Sequence, residues 1–63
     1  MATDHYGNNF NVGDRVKKVG YSHEFIVSNI RYVSNIRYDG DLVDLSGNNW
    51  DELDVNPNDI IVS

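Results

Sequence analysis

Carboxylates are the most numerous reactive side chains in this sequence of 63 residues. The segment 39–44, Asp-Gly-Asp-Leu-Val-Asp, has neither the ligand spacing nor the terminal Glu of an EF-hand loop. The two histidines, His5 and His23, have no partner at metal-ligand spacing, and the chain contains no cysteine. The sequence therefore predicts no metal site and no cofactor.

Catalytic residues are not expected either. Acid–base catalysis by two carboxyl groups needs a cleft in which their environments differ, and so short a chain has little volume for a cleft. His23 beside Glu24 is typical of a surface contact, and the sequence holds no nucleophile motif and no glycine-rich phosphate loop. We therefore expect a binding protein and not an enzyme.

Aromatic residues near the acidic ones are the better candidates for a binding surface, because Tyr and Trp combine a large contact area with a polar group. We expect Tyr38 to be exposed. If it lies in a groove with Asp41 and Asp51, an Arg or Lys of a peptide would find both stacking and charge there. Trp50 suits a core position and an exposed anchor equally well. The predicted partner-binding residues are Tyr21, Tyr38, Asp41, Trp50, Asp51, Glu52 and Asp54.

Charge is divided unevenly along the chain, whose net charge is -5. Every basic residue precedes residue 38, and seven of the ten acidic residues follow it. The two groups either neutralise each other in exposed pairs or leave an acidic patch that docks on a basic protein, for example by mimicking nucleic acid. Direct nucleic-acid binding is less favoured, because phosphates repel a negative domain. It would use a basic strip of Arg15, Lys17, Lys18, Arg31 and Arg37.

Short runs of Val, Ile, Tyr and Phe separated by Gly, Asn and Asp predict strands, and no window has helical periodicity. Asp39-Gly40 predicts a type I′ turn that pairs the third and fourth strands, and residues 46–49 predict a second turn. The polar residues 1–9 predict a flexible tail before a domain at 10–63. We expect strands at 16–19, 25–30, 36–38, 42–45 and 60–62, and one helical turn at 50–53.

Five short strands favour a small closed barrel, because closure removes exposed sheet edges. The segment 10–16, Phe-Asn-Val-Gly-Asp-Arg-Val, is followed by an Ile/Val strand, an Asp-Gly hairpin and a late Trp with an acidic-Leu pair. This order resembles the small SH3-like barrels of bacteria and their phages over residues 10–62. The resemblance implies an all-β, five-stranded SH3-like barrel and little about function, since such barrels bind different things. Nucleic-acid-binding members usually carry basic loops, whereas the second half of this chain is acidic.

A perfect repeat occupies the middle of the chain: Ser28–Tyr32 recurs as Ser34–Tyr38, six residues later. Six is even, so a continuous strand would keep both copies in phase. A strand from Glu24 to Tyr38 would measure about 50 Å, however, which is too long for a small barrel. We therefore expect a bend between the copies. Whether the repeat has no special role or provides a second pairing register stays open.

The start of the sequence lacks the basic and apolar regions of a signal peptide, and no stretch approaches a membrane span, so we expect a cytoplasmic protein without membrane contact. The combined interpretation is a small acidic protein-interaction module, encoded by a phage or mobile element, that docks on a basic protein. The alternatives are a nucleic-acid-associated accessory module and a homo-oligomer joined through an edge strand.

Overall fold

The computed structural model describes residues 2–63, and nearly all of its regular structure is β. Five strands form one antiparallel sheet in the order β6-β5-β4-β3-β7, and β1 pairs with β2. In the described residues no helix has the length and apolar character to cross a membrane. The elements are β1 Ala2–Thr3, β2 Asn9–Phe10, β3 Arg15–Lys18, β4 Glu24–Ser34, β5 Asp39–Gly47, β6 Trp50–Val55, a 3-10 turn Pro57–Asp59, and β7 Ile60–Val62.

The core lies on one face of this sheet, because apolar residues alternate along the strands. In β4, Phe25 and Val27 are buried, and a bulge then inserts Ser28 as an extra residue opposite β5. The bulge changes the phase of the strand, so Ile30 packs on the core where Asn29 would otherwise face inward. The fully buried large side chains are Phe10, Phe25, Leu45, Ile60, Val16, Val27 and Val43.

The long hairpin of β4 and β5 differs from the predicted one. Asp39 and Gly40 do not form its turn but lie in β5, opposite Ser34 and Val33. The turn is 35–38, where the Asn35 carboxamide oxygen accepts hydrogen bonds from the backbone N–H groups of residues 37 and 38 at 2.8 and 2.9 Å. The predicted strand at 36–38 is therefore wrong, and the chain bends within the second copy of the repeat instead of between the copies.

The predicted helical turn at 50–53 is also wrong, because these residues belong to β6, which pairs with β5. The connection between the two strands is the tight turn Asn48-Asn49, with Asn49 at a φ of 62°, and this confirms the turn predicted at 46–49. A second bulge, at residues 53–54 of β6, places Asp54 at a φ of 58°. In the described residues the only helical turn is the 3-10 turn Pro57–Asp59.

The N-terminal residues are folded against the sheet, unlike the predicted tail. Ala2 is buried in the core, and Asp4 is 3% exposed. The Asp4 carboxylate accepts hydrogen bonds from the N–H groups of Tyr6, Asn8 and Val62 at 2.8–2.9 Å. These bonds attach the N-terminal segment to β7, so the folded unit includes residues that the sequence placed outside the domain.

The five-stranded sheet does not form a closed barrel within residues 2–63. β6 and β7 lie at opposite ends of the strand order, and no strand pairing joins them. A side-chain contact crosses the gap instead: the Lys18 Nζ at the end of β3 lies 2.6 Å from the Glu52 Oε1 in β6. The all-β class and the five-stranded antiparallel sheet are confirmed.

Candidate functional site

An aromatic cluster surrounds the first residue of β6. The Trp50 ring packs edge-on against Phe25, with centroids 5.1 Å apart, and against Tyr21 at 5.7 Å. The His23 ring lies between, 4.9 Å from Trp50 and 4.8 Å from Phe25. Phe25 belongs to the core, Trp50 is half-buried, and Tyr21 is 54% exposed. Trp50 therefore both covers the core and reaches the surface.

Glu52, two residues along β6 on the same face, has a carboxylate held from two sides. Its Oε1 accepts from Lys18 at 2.6 Å, and its Oε2 accepts from the Trp50 Nε1–H at 2.8 Å. The hydrogen bond from Lys18, followed by that from Trp50, lowers the pKa of Glu52 below its ordinary value. The same ammonium lies 5.3 Å from the centroid of Tyr21. A cation thus already sits between an aromatic ring and a carboxylate on this surface.

Close backbone packing holds this cluster together at Gly47, the last residue of β5. A Cβ built on Gly47 would lie 2.6 Å from the backbone oxygen of Trp50 and 2.7 Å from the His23 Nε2. That nitrogen is buried and has no hydrogen-bond partner in the described residues. Only a residue without a side chain allows His23 and Trp50 to approach so closely.

A second charged cluster lies on the other face of the sheet. Arg31 in β4 donates to Asp44 in β5 at 2.8 Å and to Asp54 in the β6 bulge. The bonds to Asp54 and Asp44 raise the pKa of Arg31, and the bond from Arg31 lowers the pKa of Asp44 more than burial raises it. Asp44 also accepts the backbone N–H of Asp54 at 3.2 Å, which fixes the bulge. One guanidinium therefore joins three neighbouring strands.

The structure brings together only part of the predicted partner-binding set. Tyr21, Trp50 and Glu52 form one surface. Asp51 is exposed on the opposite face of β6, since side chains alternate along a strand. Asp54 belongs to the Arg31 cluster.

Tyr38 and Asp41 lie at the far end of the long hairpin. Tyr38 is half-buried there, not exposed as predicted, because its hydroxyl donates to the backbone oxygen of Asp41 at 2.5 Å. Asp51 is paired with Ser46, five residues along β5 from Asp41, or about 17 Å away. Tyr38, Asp41 and Asp51 therefore do not share a groove.

The predicted basic strip is divided as well. Lys18 is paired with Glu52, and Arg31 is paired with two aspartates. Arg15 and Lys17 lie on β3 without an ion pair in residues 2–63, and Arg37 lies in the hairpin turn. Because β3 pairs with β4 only up to Ile26, the turn is more than 20 Å away along β4.

The sequence analysis did not identify two residues that help to build these clusters and the fold, His23 and Asp4. His23 was interpreted as half of a surface pair with Glu24, yet its ring packs between Phe25 and Trp50. Asp4 was assigned to a tail, yet it is a buried acceptor. The alternation of side chains along a strand offers a signal for His23, because a residue two positions before the core residue Phe25 faces the same side as Phe25. The attachment of Asp4 to the sheet has no local signal, since two of its three donors, Tyr6 and Asn8, are local but the third, Val62, is 58 residues away.

The described residues form no pocket, and no three of their His, Asp or Glu side chains are grouped as a metal site. Comparison with known proteins assigns no relative: no family model, no curated protein and no solved structure matches the chain significantly. The function has to be inferred from the geometry of the chain itself.

Proposed function

We propose that this chain is a small protein-interaction module with an SH3-like barrel fold, which docks a basic protein at the surface around β6. Three features support the fold: the strand order, the 3-10 turn directly before the last strand, and the Lys18–Glu52 contact between β3 and β6. Together they describe a short sheet that is curled almost onto itself around one core.

The observation that carries the docking surface is the half-exposed Tyr21–Trp50 pair beside the fixed carboxylate of Glu52. Aromatic residues anchored on a core and flanked by acidic groups are suited to bind Arg and Lys side chains, by stacking and by charge. The position of Lys18 against Tyr21 and Glu52 demonstrates this chemistry with a cation from the chain itself. A partner cation would bind next to it.

Charge favours the same partner. The β6 strand carries Asp51, Glu52 and Asp54 and no basic residue, and the whole chain has a net charge of -5. Such a domain attracts a basic protein over distances near the Debye length, so association is fast and weakens as salt is added.

A nucleic-acid ligand is less well supported. Of the five basic residues, Lys18 and Arg31 are held by carboxylates. The remaining three are divided between β3 and the hairpin turn, so they do not form one surface along a phosphate backbone.

A capture experiment with matched variants tests the proposal. The tagged protein is incubated with a nuclease-treated bacterial lysate, washed at low and high salt, and compared with the double variant Y21A/D51N. The single variant D59N is the control, because Asp59 is an exposed carboxylate in the 3-10 turn. We expect a basic protein that is retained at low salt by the parent chain and D59N, and lost from Y21A/D51N. Equal retention by Y21A/D51N would show that the partner does not bind at the β6 surface.

A further inference from the structure

The two ends of the five-stranded sheet are not equivalent. The outer edge of β7 is covered by the N-terminal segment, because the His5 N–H donates to the Ile60 oxygen at 2.7 Å and the Val62 N–H donates to Asp4 at 2.9 Å. The outer edge of β6 has no such cover: within the described chain, no backbone hydrogen bond leaves β6 except toward β5. The sheet thus has one protected edge and one open edge.

The open edge is chemically selective. Pairing of β6 with β6 of a second copy would bring two acidic strands together, and like charges placed opposite each other destabilise a sheet. A strand that carries Lys or Arg would meet Asp51 on one face and Glu52 on the other. The edge therefore disfavours its own copy and favours a basic segment.

An added strand would also explain why binding candidates lie on both faces of β6. Trp50 and Glu52 point to the side of Tyr21, whereas Asp51 and the 73% exposed Leu53 point to the other side. A ligand on one face of the sheet reaches only one of these pairs. A strand along the edge lies beside both.

The usable length of the edge is short. After Leu53 the bulge places Asp54 at a φ of 58°, and Val55 turns into the core. A bulge of this kind twists an edge away from further pairing. Pairing is thereby confined to residues 50–53.

From these features we propose that β6 binds an extended basic segment of the partner protein as an additional strand, with Lys or Arg at alternate positions opposite residues 50–53. The inference rests on the proposed function and specifies how the partner binds. Main-chain hydrogen bonds provide affinity, and the carboxylates and the Tyr21–Trp50 pair provide selectivity.

The test uses two synthetic heptapeptides of identical sequence, Thr-Lys-Val-Arg-Val-Lys-Thr with blocked ends, one of them N-methylated at all five residues between the two Thr residues. The methyl groups keep the charge but remove the backbone N–H donors of these residues from both edges of the peptide. Each peptide is titrated into the 15N-labelled full chain, and amide shifts are followed by NMR. We expect shifts centred on residues 50–53, and an affinity about tenfold lower for the methylated peptide, as two lost hydrogen bonds imply.

Two variants locate the binding. Asp51→Asn should weaken both peptides, and Ile36→Ser, at the fully exposed hairpin tip, should weaken neither. Equal affinity of the two peptides would overturn strand addition while leaving a charge-based docking surface intact. Shifts centred on the hairpin, or the absence of binding by either peptide, would also overturn the inference. These outcomes would leave the proposed function untouched, because that function is tested separately by whether Y21A/D51N loses the captured protein.

Discussion

Replacing Asp4 by Asn removes one negative charge and one acceptor atom from the most buried carboxylate of the described chain. Asp4 Oδ1 accepts the N–H groups of Tyr6 and Asn8, and Oδ2 accepts that of Val62. The Asn amide can still accept two of these bonds, but its NH₂ group then faces the Val62 N–H. A buried donor left without a partner costs about 1–3 kcal/mol, and the bonds that remain are no longer charge-assisted. We expect Asp4→Asn to lower the free energy of unfolding by about 2 kcal/mol.

The assay is thermal unfolding followed by circular dichroism at pH 7. For a domain of this size, each kcal/mol shifts the midpoint by about 4–8 °C, so the expected decrease is about 8–16 °C. The control is Asp59→Asn, which makes the same change of charge at an exposed carboxylate and should shift the midpoint little. If the two variants unfolded at the same temperature, the anchoring of the N-terminal segment by Asp4 would be refuted.

The effect of pH on this difference follows from the pKa of Asp4. Burial raises that pKa, but the N–H bonds from Val62, Asn8 and Tyr6 together outweigh burial, and the net shift from 3.8 is downward. A lowered folded-state pKa gives stability that is complete above the unfolded pKa and is lost as pH falls through the folded one. The difference in unfolding temperature between the parent chain and Asp4→Asn should therefore be largest at neutral pH and should decrease below about pH 4.

Three further predictions concern the sheet. Gly47→Ala should lower the free energy of unfolding by about 3 kcal/mol in urea titrations, because its Cβ would meet backbone and the His23 ring; a change no larger than that of Ser46→Ala would contradict this packing. Arg31→Met should lower the melting temperature, and the deficit should shrink between about 50 mM and about 1 M NaCl; a deficit independent of salt would indicate lost packing only. Deletion of residues 33–38 should leave dispersed amide signals in NMR, because it removes the last two residues of β4 and the turn, and lets Asp39-Gly40 close a shorter hairpin in the same register; a collapsed spectrum would contradict the pairing.

The sequence of this deletion variant shows why the turn predicted at Asp39-Gly40 is not the turn of the full chain. Without residues 33–38, Arg31 would still face Leu42, and the four residues between them would be Tyr-Asp-Gly-Asp. Asp39-Gly40 is thus a good turn for a shorter hairpin. In the full chain, two further residue pairs, Val33 with Gly40 and Ser34 with Asp39, extend the hairpin, and the side chain of Asn35 in the second copy of the repeat closes the turn. Local propensity could not choose between two adjacent turns, 35–38 and 39–40.

The parts of the fold that local patterns determine were predictable. The β-branched runs indicated β3, the start of β4, the middle of β5 and β7, and the Gly and Asn cluster at 46–49 indicated the turn at Asn48-Asn49. The segment 50–53 was interpreted as one helical turn that ends before Pro57, although Asp and Glu are depleted in strands only as a weak preference. Tertiary pairing with β5, and the attachment of Glu52 to Lys18 and Trp50, outweigh that preference.

The candidate site was only partly predictable for a related reason. Tyr21, Trp50 and Glu52 were selected by residue type, and the structure places them together. Their separation from Tyr38 and Asp41 depends on the length of the hairpin. That length could not be predicted, because the repeat allows a shorter and a longer hairpin. The pairing of opposite charges across strands, as in Arg31 with Asp44, depends on register and on a bulge that no local pattern determines.

The most direct test of the docking surface is a hydrogen–deuterium exchange footprint of the complex with the captured basic protein. We predict that binding slows exchange at the amides of residues 50–53 and near Tyr21, and does not change the exchange rates in the hairpin turn at 35–38. Protection confined to the hairpin, or to Arg15–Lys18 in β3, would contradict it and assign the binding surface elsewhere on the molecule.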